Sequence, residues 1–176
     1  GGNGGGGLVA ARRLHNWGAC VQVIISHPTE DYQGVPAHQL AVLENMSVPI
    51  LQANSVDALP AGDLILDALI GYSLSGAPRG AAAELIVLAN QSQIPILSLD
   101  TPSGLDTTSG EAFQPHIAAA ATLTLALPKT GLVNNKSSAS VGELFLADIS
   151  VPSDLYAQLG LEVGPLFSER DILSIS

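Results

Sequence analysis

The chain has 176 residues, 47% of them hydrophobic and 12% charged, so it is long enough to bury a core and too apolar to be disordered. Only 6 Lys and Arg stand against 16 Asp and Glu, a net charge of −10 that excludes the basic stripe a nucleic-acid partner requires. The single cysteine, Cys20, excludes an internal disulfide framework, and no apolar run reaches the roughly 18 residues of a membrane-spanning helix. A single domain over 1–176 in a reducing, cytoplasmic compartment is therefore expected.

The first residues read Gly1-Gly2-Asn3-Gly4-Gly5-Gly6-Gly7 and lead directly into a helical pattern from Leu8 to Trp17 that ends near Gly18. Such a run reads as a phosphate-binding loop, because glycine lets backbone N–H groups approach an anion and a helix N-terminus adds positive partial charge. A flexible linker is the alternative. No strand feeds the run, so a further segment is expected upstream of Gly1. Val21 to Ile25 then reads as a buried strand, Pro36 to Met46 as a helix and Pro49 to Leu51 as a short strand. Asp63 to Ile70 is a strand ending in Gly71, and Gly80 to Asn90 is a helix rich in Ala and Leu. Ile94 to Leu99, Ala121 to Leu127 and Glu143 to Ala147 are later strands. The tail from Pro152 reads as a short helix followed by an irregular end. Continuous apolar strands alternating with helices predict an α/β fold around a mostly parallel sheet covered on both faces, with ligands at the carboxyl ends of the strands.

Three loops carry polar content that such ends could gather: the opening glycines, Asp67–Arg79 and Asp100–Gly110. Asp67 interrupts an apolar strand, where an unpaired carboxylate is costly and needs donors or a cation. A structural Asp bonded to loop amides fits equally well. Gly71, Gly76 and Gly80 give the second loop a backbone able to wrap a ligand. In the third loop, Asp100 and Asp106 flank hydroxyl residues, a composition that suits proton transfer or cation coordination but also builds ordinary turns. The four histidines show no metal-ligand spacing, and Ser103 lacks a nucleophile elbow or an evident His partner. Cys20 reads as a core residue and Lys129 as a solvated loop lysine.

Taken in order, GLVAARRLHNWG, LDALIGYSLSGAPRG, LSLDTPSGLDTTSG, ATLTLALPKTGL and VGELFLADISVP resemble the NAD(P)H-hydrate epimerases, the YjeF-type N-terminal domain, over nearly the whole chain. The resemblance implies a Rossmann-like three-layer α/β/α sandwich, usually a homodimer. It also implies an isomerase that interconverts the R and S epimers of hydrated NADH and NADPH for nicotinamide nucleotide repair. A dehydratase would consume the product, as a separate partner or fused in the parent chain. A potassium ion is the implied cofactor, held by Asn3, Asp67 and Ser103. The implied substrate-binding residues are Gly2, Asn3, Gly4, Gly5 and Gly6, then Gly71, Tyr72, Ser73, Leu74, Ser75, Gly76 and Ala77, and Asp100. Asp100 is also the candidate acid/base. The hydrated carbon is a carbinolamine, so loss and return of hydroxyl, or ring opening and closure, would invert it.

The family loop reads Asn-Asn-Gly-Gly-Asp-Gly, whereas Gly2 and Gly6 stand here at the first Asn and the Asp. Glycine at those positions loosens the loop and removes a cap. Two other readings follow. One is a non-catalytic dinucleotide-binding or interaction module of the same fold, favoured by the altered loop and opposed by the retained Asp67, Asp100 and Ser103. The other is a nicotinamide-dependent dehydrogenase, which lacks a clean dinucleotide fingerprint here.

Overall fold

The structure, a computed structural model, describes residues 2–175, so Gly1 of the opening glycine run lies outside the described residues. Helix α1 (Gly2–Asn16) is followed by β1 (Val23–Ile25), α2 (Gly34–Asn45), β2 (Ile50–Gln52) and β3 (Ile65–Asp67). Next come α3 (Gly80–Gln91), β4 (Ile96–Leu99), β5 (Ala121–Leu125), α4 (Ser138–Val141), β6 (Glu143–Ala147), α5 (Ser153–Gln158) and β7 (Ile172–Ser174). The expected strands and helices are present, mostly shorter than the apolar runs that announce them. The chain is the expected Rossmann-like α/β assembly of helices and mostly parallel sheets.

The strands form two sheets where one was expected. β1 and β2 pair in parallel, and a five-stranded sheet runs β3-β4-β5-β6-β7. Among the described residues no ladder of hydrogen bonds joins the two sheets. β3 to β6 are parallel, and β7 closes the far edge antiparallel to β6, with Leu146 opposite Leu173. The tail is thus not irregular throughout. Three residues with two exposed side chains carry too little alternation to read as a strand, and only pairing with β6 makes β7 one.

Three apolar clusters hold these elements. Leu8 and Ala11 of α1 pack with Leu40 and Leu43 of α2 and Ile25 of β1. Ile86 and Ala89 of α3 pack with Ile96 of β4 and Ile117. Leu105, Leu132, Val141 and Leu144 fill a third cluster under the loops that follow β4 and β5. Each buried Leu or Ile contributes about 1.5–3 kcal/mol relative to an exposed one.

The main departure from expectation is α1. Its helix begins at Gly2, so Gly2, Gly4, Gly5, Gly6 and Gly7 lie within a helix and not in an open loop. Each glycine costs about 1 kcal/mol relative to Ala in a helix interior, so local propensity opposes this outcome. Tertiary packing overrides it. A Cβ on Gly7 would lie 2.5 Å from Ala68 Cβ, one on Gly6 would lie 3.1 Å from Leu99 Cδ2, and one on Gly5 would lie 3.5 Å from Pro36 Cγ. The missing side chains are what let the first turns of α1 settle onto the ends of β3 and β4 and the start of α2.

Candidate active site

Asp67 is the last residue of β3 and only 3% exposed. Its Oδ2 accepts from Ser98 Oγ at 2.9 Å and from the Ser103 backbone N–H at 2.8 Å. Its Oδ1 accepts from Ser103 Oγ at 2.6 Å and, more weakly, from the Leu69 N–H at 3.3 Å. Burial pushes the Asp67 carboxyl above its ordinary value, and the bonds from Ser103, Ser98 and Leu69 oppose that rise. Ser103 Oγ also accepts from the Ile70 N–H at 2.9 Å. The structural role considered for Asp67 is therefore present: it ties the loop after β3 to the loop after β4. Fully hydrogen-bonded, the carboxylate tolerates a position that would otherwise be too costly.

The opening residues join this pair from the other side. A Cβ on Gly71 would fall 2.9 Å from Asn3 Cβ, so only glycine lets the loop after β3 lie against Asn3. The Asn3 side-chain nitrogen is buried without a hydrogen-bond partner. The oxygen and nitrogen of an amide are assigned from such partners, so this end is open to either a donor or an acceptor role. The three polar segments singled out in the sequence thus meet, with Asn3 against Gly71 and Asp67 bonded to Ser103. From Tyr72 to Ala77 the loop is less engaged. Tyr72, Ser73, Ser75 and Ala77 are exposed, and Leu74 and Gly76 are half-buried.

A cation would meet only hard oxygens here: the Asp67 carboxylate, the Ser103 hydroxyl, the Asn3 carboxamide and the Ile70 carbonyl. No group of three or more His, Cys, Asp or Glu side chains that could hold a metal exists among the described residues. Oxygen donors with a single carboxylate suit a hard cation of low charge and not zinc or copper. The unpartnered, buried Asn3 amide is the group here still in need of a partner, and turned oxygen-inward it would join these oxygens around such an ion, so the residues present fit it.

Asp100 follows β4 directly and takes φ +67°, a left-handed conformation uncommon outside glycine. Its N–H donates to Leu123 O of β5 at 2.8 Å, and the next N–H, of Thr101, donates back to Leu99 O at 2.9 Å. The same device follows β5. Ala126 has φ +66°, its N–H donates to Ala147 O of β6 at 3.1 Å, and the Leu127 N–H donates back to Leu125 O at 2.8 Å. Such three-residue turns cost about 1–3 kcal/mol each and persist only where the surroundings hold them. The two parallel strands therefore end in matching turns on one edge of the sheet.

Lys129, three residues beyond Ala126, reaches across to Asp100. Its Nζ pairs with Asp100 Oδ1 and donates to Thr124 Oγ1 at 2.8 Å and to Leu125 O at 3.0 Å. Lys129 is thus not the solvated loop lysine its sequence context suggests. The sequence holds one signal that could have flagged it: a lone lysine just past a strand end in a chain with 6 Lys and Arg. Asp106, by contrast, is a turn residue whose Oδ1 accepts from the Thr108 and Ser109 N–H groups and the Ser109 hydroxyl. Cys20 is exposed, correcting its expected place in the core. No helix among the described residues is long and apolar enough to cross a membrane.

The chain is similar to known proteins along most of its length. The family described as YjeF-related protein N-terminus matches residues 1–131. The chain is 43% identical over 162 residues to an NAD(P)H-hydrate epimerase of Dehalogenimonas lykanthroporepellens, covering 92% of this chain and 64% of that protein. It is 38% identical to the bifunctional NAD(P)H-hydrate repair enzyme Nnr of Moorella thermoacetica, covering 89% of this chain and 31% of that protein. The crystal structure of the yeast protein ynu0 superposes with a TM-score of 0.76 at 28% identity, covering 99% of this chain and 74% of that one. The chain thus spans less than two thirds of the length of the first relative and under a third of the second.

Proposed function

From the premise that this chain belongs to the YjeF-related N-terminal family, we propose that it is an isomerase, an NAD(P)H-hydrate epimerase. In this reading it interconverts the R and S epimers of hydrated NADH and NADPH. The observation that carries the reading is the gathering, on one edge of the sheet, of a partly unengaged Asp100 carboxylate beside the Asp67–Ser103 pair and the glycine-rich turn of α1. The names of the relatives lend it the substrate.

The first turn of α1, whose amides have no partner within the helix, and the loop from Gly71 to Ala77 would take the dinucleotide phosphates, since backbone amides and a helix N-terminus must do that work in a chain so poor in cations. Asn3, Asp67 and Ser103 would hold a potassium ion. When bound, the ion supplies fixed positive charge that offsets the buried carboxylate and draws the anionic substrate into the site. Asp100 performs the chemistry by taking the O–H proton of the hydroxyl group borne by the carbinolamine carbon. The carbon–nitrogen bond then opens, its electron pair passes to the ring nitrogen and the carbon becomes a carbonyl. The nitrogen returns to the opposite face, and Asp100 gives the proton back to the oxygen, so atoms and charge balance over the cycle. A homodimer, a reducing cytoplasmic setting and a dehydratase that consumes the product belong to the same proposal. The bifunctional relative, of which this chain covers 31%, supports a second activity housed in one polypeptide.

The test is epimerisation of the purified R form of hydrated NADH by the full-length protein, followed by chromatography with and without potassium. Conversion is expected, and Asp100→Asn should abolish it while dinucleotide binding persists. Full activity in Asp100→Asn would remove that residue from the mechanism. No conversion by the wild type, with dinucleotide still bound, would establish the non-catalytic binding module instead.

A further inference from the structure

We propose that Lys129 is a positioning residue for this reaction, clamping one oxygen of Asp100 so that the other alone exchanges the proton. The proposal rests on the epimerase reading. Asp100 Oδ1 is engaged twice, by Lys129 Nζ and by the Leu125 N–H at 3.3 Å, whereas Oδ2 receives no hydrogen bond from the described residues. The Asp100 side chain is 11% exposed and Oδ2 is not fully enclosed, so it is the oxygen left for a ligand at this otherwise buried position. One carboxylate thus presents two unlike oxygens, one fixed and one free.

The ammonium is fixed as tightly as the oxygen it holds. A lysine has three N–H donors, and here they meet Asp100 Oδ1, Thr124 Oγ1 and Leu125 O. None remains for a phosphate, which sets aside the more obvious use of a lone lysine beside a dinucleotide site. The loop that carries Lys129 is anchored as well. The Gly131 N–H donates to Thr107 O at 2.8 Å, and the Leu132 N–H donates to Lys129 O at 2.9 Å. A Cβ on Gly131 would lie 2.6 Å from Asp106 O, so the two loops lie against each other. Leu99 lies opposite Leu123 on adjacent strands, so Asp100 follows at the level of Thr124, and the turn at Ala126 lets Lys129 return to that level. Strained turns at the ends of two strands, held by ladder bonds and joined by one ion pair, are a rigid mount for a single reacting oxygen.

The experiment is steady-state epimerisation of hydrated NADH by full-length wild type, Lys129→Met and Lys129→Arg, with urea unfolding of each. Loss of positioning should lower kcat of Lys129→Met on the order of 10²-fold, with KM unchanged and the unfolding midpoint close to wild type. Lys129→Arg, which keeps the charge, should recover part of kcat. Should Lys129→Met fail to fold, Lys129→Gln, which keeps a polar end toward Thr124 and Leu125, carries the same kcat test. A rise in KM at unchanged kcat would make Lys129 a substrate anchor and overturn the proposal. So would unchanged kinetics, or an Arg variant as impaired as Met. Wild type that fails to convert removes the epimerase reading and this inference together; active wild type beside an unimpaired Lys129→Met removes the clamp alone.

Discussion

Substituting Gly7 by Ala isolates the force that makes α1 a helix. In a helix interior the change from Gly to Ala gains about 1 kcal/mol. At Gly5 the new Cβ would meet Pro36 Cγ at 3.5 Å, an ordinary contact, so Gly5→Ala should collect that gain. At Gly7 the new Cβ would lie 2.5 Å from Ala68 Cβ, well inside the roughly 3.5–4.0 Å at which carbon atoms attract. Ala68 Cβ sits on the backbone and has no torsion with which to retreat, so helix and strand end must part. Overpacking of this kind costs about 1–3 kcal/mol. Gly7→Ala should therefore lie about 1–3 kcal/mol below Gly5→Ala, between no change and about 2 kcal/mol below the parent. Urea unfolding at matched slopes reads the difference, and Ala68→Gly in the Gly7→Ala background should restore most of it. A Gly7→Ala protein as stable as Gly5→Ala would refute the argument that the glycines serve close packing.

Asp67→Ala should destabilise by roughly 3 kcal/mol, because the buried Ser103 N–H loses its acceptor and a cavity opens. Added potassium chloride, compared with choline chloride, should raise the melting temperature of wild type but not of Asp67→Ala; an equal rise in both would move the ion elsewhere. The Asp106 carboxyl is held below its ordinary 3.8, chiefly by the Ser109 N–H and then by the Ser109 hydroxyl and the Thr108 N–H. Its contribution to the turn is therefore present above 3.8 and lost as pH falls through the lower folded value. A carboxyl-carbon NMR titration of Asp106 with its midpoint at or above 3.8 would contradict this turn geometry.

Much of the architecture is legible locally. Ala37, Leu40 and Leu43 recur at helical spacing and become part of α2, while the apolar runs at 94–99 and 143–147 become β4 and β6. The ligands of the Asp67 cap were legible only as residue types, since Ser98 and Ser103 lie 31 and 36 positions away in sequence. The pairing of Lys129 with Asp100 spans 29 positions and no local pattern announces it. Cys20 was misplaced because its apolar neighbours in sequence are not neighbours that bury it.

The sequence by itself therefore determined the α/β class, the order of most elements and which three segments carry polar chemistry. Those properties follow from apolar periodicity and turn composition, which act over a few residues. Tertiary structure decided that the glycine run is helical from Gly2 onward, that the tail carries an antiparallel strand and that one oxygen of Asp100 is held while the other is left free. These outcomes turn on contacts between segments far apart in the chain, where the close approach of Gly7 to Ala68 or of Lys129 to Asp100 outweighs the preference of any residue alone.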